Sequence, residues 1–249
     1  SAVQDNDLKW HYSWVACELF ADPAISTTGA IELPVYFSGM GIDPRQHWIS
    51  LDEHTGGFIT EHRGFGSPVN LHGGLPLAGG YHVYPEKAQL LLLDASNGSQ
   101  VSAYDFSIDL IGAPARSPDG QYIFEVQPQI IWPIGDPPDQ PARLYGLKLS
   151  ASEPPSLSEW FSIMLTGDKS HAQPAVDGDC KIYFPTDNGY LECIGFDPSQ
   201  PVGAGNPWIV EEAKLNDRDT YMFNSFAIGD GVVYVVSEQN VLYRIGNSA

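Results

Sequence analysis

Breaking a sugar bond takes two carboxyl groups facing each other across it. The acidic residues are therefore the first place to look for chemistry. Asp22, in Phe20-Ala-Asp-Pro-Ala-Ile25, is one candidate carboxylate. An aspartate before a proline is also an ordinary turn opener, and that role is expected here. Six histidines, His47, His54, His62, His72, His82 and His171, invite a metal reading. None belongs to an HExxH motif, and scattered spacings carry no coordination geometry, so loop and core roles and no metal site are expected. Cys17, Cys180 and Cys193 form no CxxC pair and have no histidine beside them in sequence. Cys180 and Cys193 flank the hairpin Lys181 to Glu192 and are expected to share a face of it. A bridge between them stays open, but two small buried thiols are preferred. There is no Gly-x-Ser-x-Gly elbow and no phosphate loop before a helix, and Asp217 with Asp219 makes no calcium loop. Asn97-Gly98-Ser99 fits a glycosylation acceptor, although Asn-Gly is foremost a hairpin turn.

Aromatic residues carry more information. Trp10, Tyr12 and Trp14 alternate, so on a strand they share one face, and packing against a neighbouring sheet is their plain role. Trp132 differs because it sits in the proline-rich run Gln127 to Pro141, where packing demand is low. Its ring is the candidate ligand-binding residue, placed to stack on a sugar or anchor a protein.

Those side chains must be positioned by strands. Glycine and proline, 25 and 20 of 249 residues, are too frequent for a helical bundle and too few for low complexity. Short apolar or alternating runs recur, among them Glu32-Leu-Pro-Val-Tyr-Phe37, Gln89-Leu-Leu-Leu-Leu-Asp94 and Gly231-Val-Val-Tyr-Val-Val236. Gly-bearing turns separate them, and no stretch sustains a helical apolar period. Pro155 to Leu165 and Trp208 to Leu215 are the nearest to helices and read equally as strands.

A unit recurs, with starts at Pro23, Pro68, Pro114, Pro174 and Phe226, which lie 45, 46, 60 and 52 residues apart. Each start runs through a short strand into a glycine turn, such as His72-Gly-Gly74 or Ser117-Pro-Asp-Gly120. The later halves also match, as in Trp48-Ile-Ser-Leu-Asp52 beside Leu91-Leu-Leu-Asp94. The two long intervals hold insertions, Pro128 to Pro141 and Asp197 to Pro207. Without them the period approaches that of a four-stranded propeller blade. The fifth copy has three strands, and Leu8 to Trp14 reads as an orphan strand that could complete it. The expected fold is thus all-β, one domain over residues 1–249. It is a five-bladed β-propeller closed by an N-terminal strand completing the last blade.

The phrases Leu51-Asp-Glu-His-Thr-Gly56, Leu92-Leu-Asp-Ala-Ser-Asn-Gly98, Ser117-Pro-Asp-Gly-Gln-Tyr-Ile-Phe124 and Thr186-Asp-Asn-Gly-Tyr-Leu-Glu-Cys-Ile-Gly-Phe-Asp197 resemble the blade repeats of quinoprotein-like propellers. The quinone-dependent dehydrogenases of that superfamily carry eight blades, a vicinal cysteine pair and a calcium site. This chain has no Cys-Cys pair and is too short for eight blades, so no cofactor is implied. The resemblance points instead to its non-catalytic branch. The Asp22 segment is also similar to the opening of five-bladed arabinanase-type glycoside hydrolases, whose acid sits in a Glu-Gly-Pro-like context. Here the matching stretches read Ile111-Gly-Ala-Pro114 and Ala172-Gln-Pro174, with no glutamate.

Charge narrows the partners. Twelve basic against thirty-one acidic residues give a net charge of −19, which repels nucleic acid and anionic lipid alike. No apolar run is long enough to span a bilayer as a helix. The expected function is a non-catalytic binding or scaffold propeller, secreted or periplasmic, recognising a protein or carbohydrate partner. A glycoside hydrolase using Asp22 is the alternative.

Overall fold

The computed structural model describes residues 17–19, 24–25, 30–37, 46–52, 54–63, 75–77, 79–86, 88–94, 96–97, 99–106, 114–127, 141–165, 174–186, 189–203, 205–215, 226–229, 231–236 and 241–246. Among them there is no helix, and twenty strands form five antiparallel sheets in chain order. The first sheet holds β1 (Cys17–Leu19), β2 (Ala24–Ile25), β3 (Ala30–Phe37), β4 (Gln46–Asp52) and β5 (Phe58–Arg63). β1 and β2 both pair with β3, one beyond the other along its length. The second sheet is β6 (Leu75–Leu77), β7 (Tyr81–Glu86), β8 (Gln89–Asp94) and β9 (Gln100–Asp105). The third is β10 (Ala115–Arg116), β11 (Tyr122–Gln127), β12 (Arg143–Leu149) and β13 (Leu157–Met164). The fourth is β14 (Ala175–Val176), β15 (Lys181–Pro185), β16 (Tyr190–Gly195) and β17 (Trp208–Lys214). The fifth is β18 (Phe226–Gly229), β19 (Val232–Val236) and β20 (Leu242–Ile245).

Each sheet is a meander headed by a short strand, and these heads lie side by side: β2 against β6, β6 against β10, β10 against β14 and β14 against β18. The units are repeats in detail as well. In the first four sheets the third and fourth strands slip register once, at Ser50/Leu51, Leu92/Leu93, Gly146/Leu147 and Cys193/Ile194. A bulge at that point adds local twist. Both segments that read equally as helix or strand are strands, β13 and β17.

Apolar cores lie between consecutive sheets. Ile123 and Leu147 of the third sheet meet Leu77, Val83, Leu90 and Leu92 of the second. The opposite face of β11 sends Tyr122, Phe124 and Val126 against Ile182, Phe184, Ile194 and Phe196 of the fourth sheet. Strands buried on both faces read as continuous apolar runs, which explains Leu90-Leu-Leu-Leu93.

The second repeat begins elsewhere than its sequence match suggests. Its heading strand is Leu75–Leu77, turning at Gly79 and Gly80, both with positive φ (81° and 79°), and not at His72-Gly-Gly74. The heads therefore start at 24, 75, 115, 175 and 226. Two glycine pairs six residues apart compete for the same turn, and only the second directly precedes the strand Tyr81–Glu86.

The cysteine reading is also corrected. Cys193 pairs with Tyr183, whereas the Cys180 carbonyl accepts from the Phe196 N–H, three residues away along the ladder. An odd offset puts the two side chains on opposite faces. Both are thiols, and no bridge joins them.

Candidate functional site

The two ends of the sheets are built differently. At one end the first strand of each sheet turns into the second, and the third into the fourth. Aspartates brace these turns. Asp52 Oδ1 accepts from the backbone N–H of His54 (3.0 Å) and Thr55 (2.8 Å) and from the Thr55 hydroxyl (2.8 Å). Asp94 Oδ1 does the same for Ser96, and Asp197 Oδ1 for Ser199. Accepting these bonds favours the charged form, so the Asp52 and Asp197 carboxyls are held below the usual range. Asp177 Oδ1 braces the β14–β15 turn through the N–H groups of Asp179 and Lys181. Cys180 stands there with φ 61°, where the matching residue of the third sheet is Gly120 at 69°.

The opposite end carries the second-to-third-strand connections and the crossings from sheet to sheet. They include residues 38–45, 64–74, 106–114, 128–142, 165–174 and 215–225. The longest connection at the braced end, 196–207, is itself tied down by Asn206. Its Nδ2 donates to the carbonyls of Asp197 and Gln200 while its Oδ1 accepts from the Asp197 N–H.

The crossings leave from fixed feet. Phe106 N–H donates to the Ala88 carbonyl (2.7 Å), Leu165 to Ala142 (2.9 Å) and Leu215 to Gly189 (2.7 Å). Phe106 and Leu165 are buried, so each crossing begins with an apolar side chain held in a core. Two crossings also land on a buried proline, Pro114 and Pro174, directly before a heading strand. The connection that carries Trp132 departs from β11 just after Glu125 and Gln127, both buried.

Glu125 is the unusual group at this end. It is 0 % exposed, and neither carboxylate oxygen has a hydrogen-bond partner. Burial pushes its carboxyl well above the usual range. The neighbouring Val126 N–H pulls weakly the other way without forming a hydrogen bond of ordinary geometry. It faces the second sheet, as Ile123 does two residues before. The same position in the second and fourth sheets holds Tyr84 and Phe184.

Trp132, Asp22 and the segment Leu8 to Trp14 all lie outside the described residues. In sequence Asp22 falls between β1 and β2. Asn97 is exposed in the β8–β9 turn, where its Oδ1 accepts from the Ser99 N–H (2.7 Å) and its Nδ2 donates to Asp94 Oδ2 (3.3 Å). That is the bonding of a turn asparagine. His54 is exposed beside Asp52 and His82 is buried in β7. His47 and His62 lie on β4 and β5, and His72 and His171 are outside the described residues. Among the described residues no three His, Cys, Asp or Glu side chains gather as metal ligands. Among the described residues there is no helix long and apolar enough to cross a membrane.

No family model matches this chain, and neither does any curated protein. The functional reading accordingly rests on the geometry of the two ends.

Proposed function

We propose that the protein is a non-catalytic binding platform. Its five sheets are the blades of a closed, quinoprotein-like β-propeller that presents the crossing end to a protein or carbohydrate partner. The observation that carries this reading is the contrast between the ends: turns braced by side-chain hydrogen bonds at one, including the connection 196–207, and crossings that leave from fixed feet at the other. Loops on a rigid scaffold are where recognition resides.

Ring closure has its own support. Four crossings between sheets take 64–74, 106–114, 165–174 and 215–225, that is nine to eleven residues. From Trp14 to the heading strand β2 lie residues 15–23, nine again. That spacing suits Leu8 to Trp14 as the fourth strand of the fifth sheet, reaching the first sheet by way of β1, which already pairs with β3. A secreted or periplasmic setting is part of the proposal, and the acidic composition is compatible with it.

Trp132→Ala is expected to weaken binding on a glycan array, or to a protein captured on the wild-type chain, while Asp22→Asn leaves it unchanged. Polysaccharide hydrolysis that disappears in Asp22→Asn would replace this reading with the glycosidase one.

A further inference from the structure

Glu125 stands where two connections leave the wedge between the second and third sheets. It is fully buried, and neither carboxylate oxygen has a hydrogen-bond partner. Its partner in the ladder is Tyr145, and cross-strand partners share a face. The Tyr145 ring meets that of Phe106 edge-on, with 5.1 Å between centroids. Phe106 is the buried foot of the crossing 106–114, tied by its N–H to the Ala88 carbonyl. Two residues after Glu125, β11 ends at Gln127 and the chain enters the connection 128–142. The rest of the wedge is apolar, with Val83, Leu90, Ile123 and Leu147 all buried there. A charge without a partner is too costly to keep dry among such side chains, so ionisation must draw water in or move the group out.

We propose that Glu125 is a pH-sensitive latch on this wedge: neutral, it lets the two sheets close; ionised, it admits water and frees the Phe106 foot. The latch concerns how firmly a crossing is held, whatever that end of the molecule binds. Among the described residues, the other titratable or charged groups on the facing sides are Arg116 of β10, Arg143 and Tyr145 of β12, Tyr81 of β7, Asp94 of β8, Tyr104 of β9 and Glu159 of β13. Asp94 is engaged in its turn, and Glu159 accepts from Tyr104. Neither arginine offsets the burial of Glu125, against which only the Val126 N–H pulls. Burial pushes all three tyrosines above their ordinary value of 10.0, which leaves the weakly alkaline range to Glu125. His82 faces the first sheet instead, on the side of Tyr84 and Leu93. Burial raises the Glu125 carboxyl, so the wedge is firm at low pH and loosens as pH rises through the folded value.

Hydrogen exchange in the full-length chain, corrected for the intrinsic pH dependence of exchange, reads the latch at two feet. Phe106 N–H reports the wedge beside Glu125, and Leu215 N–H, bonded to the Gly189 carbonyl, reports the crossing two sheets further on. Over roughly pH 5 to 9, protection at Phe106 should fall by about tenfold for each pH unit above the folded value, while that at Leu215 stays level. Glu125→Gln keeps the shape but cannot ionise, so its Phe106 protection should not change with pH. Glu125→Leu should behave in the same way, and it carries the test alone if the buried amide prevents folding. A level Phe106 in the wild-type chain would overturn the latch. So would a slope that survives in the variants, which would assign it to another group. Equal slopes at Phe106 and Leu215 would spread the effect over the whole fold and overturn Glu125 as a local device.

Discussion

The boundary between the third and fourth sheets and that between the fourth and fifth are made by equivalent strands but filled differently. The first is crowded with rings: Phe124 lies 4.9 Å from Phe196, and Tyr122 lies 4.6 Å from Trp160. It has no need of a further strand, because both its sheets have four. The second is aliphatic, with Leu191, Val233 and Val235 at its centre and a cleft at its rim. Sheet pairing alone therefore does not seal a boundary. The fourth strand does, and the boundary whose second sheet has three strands among the described residues is the one left shallow.

The sharpest way to break this comparison is to hollow both boundaries equally. Ile194 is buried in the crowded boundary and Leu191 in the shallow one, and each loses three carbons on change to alanine. Ile194→Ala should cost near the top of the usual range of about 2–5 kcal/mol and Leu191→Ala near its foot, read as the drop in midpoint on urea unfolding. Equal losses would mean that the two boundaries are equally closed.

The next test concerns the second and third sheets. Burial raises the Glu125 carboxyl in the folded protein and so favours its neutral form there relative to the unfolded chain. A raised folded pKa means stability fully present below the unfolded value and lost as pH rises through the folded one. Each pH unit inside that window costs about 1.4 kcal/mol. Glu125→Leu should thus raise the melting temperature by several degrees at pH 8 and much less at pH 4. A gain of the same size at both pH values would show that the carboxyl is not buried in its neutral form.

Cys180 offers a smaller effect. A left-handed residue that is not glycine costs roughly 1–2 kcal/mol, so Cys180→Gly should stabilise by about that amount less the packing of its thiol. Gly120→Ala, the mirror change one sheet earlier, should destabilise by a similar amount on thermal unfolding. The smallest expected change is Asp94→Ala, which removes a turn acceptor worth about 0.5–1.5 kcal/mol. Hydrogen exchange at Ser96 should quicken while the core amides of β8 stay protected.

Much of this was legible in the chain. The Leu-Asp endings of β4 and β8 announced their turns because an aspartate there can accept two or three local donors. The glycine turns before β11 and β19 announced the heading strands for an equally local reason. The second heading strand was misplaced because Leu75-Pro-Leu77 is too short to show a period, and a rival glycine pair preceded it. Glu125 went unseen because Tyr122-Ile-Phe-Glu-Val-Gln127 can be taken for a half-buried strand with its glutamate in water. Burial of its second face is decided by a neighbouring sheet some forty residues earlier in sequence (Tyr81–Glu86), and no local pattern records that. Cys180 and Cys193 were placed on one face because they flank Lys181 to Glu192 symmetrically, whereas the hairpin pairs Lys181 with Gly195 and so sets the two cysteines an odd number of residues out of register.

The pinned feet of the crossings have a consequence for how such a chain can change. Phe106 and Pro114 hold residues 107–113 between two buried anchors, and Leu165 and Pro174 hold 166–173 likewise. Each intervening piece is a replaceable cassette, since doubling a loop's length adds only about 0.6 kcal/mol of closure entropy. Randomised sequences could be spliced between those anchors and selected against new targets without rebuilding the sheets. The same arrangement would let duplication and drift retarget the molecule one crossing at a time.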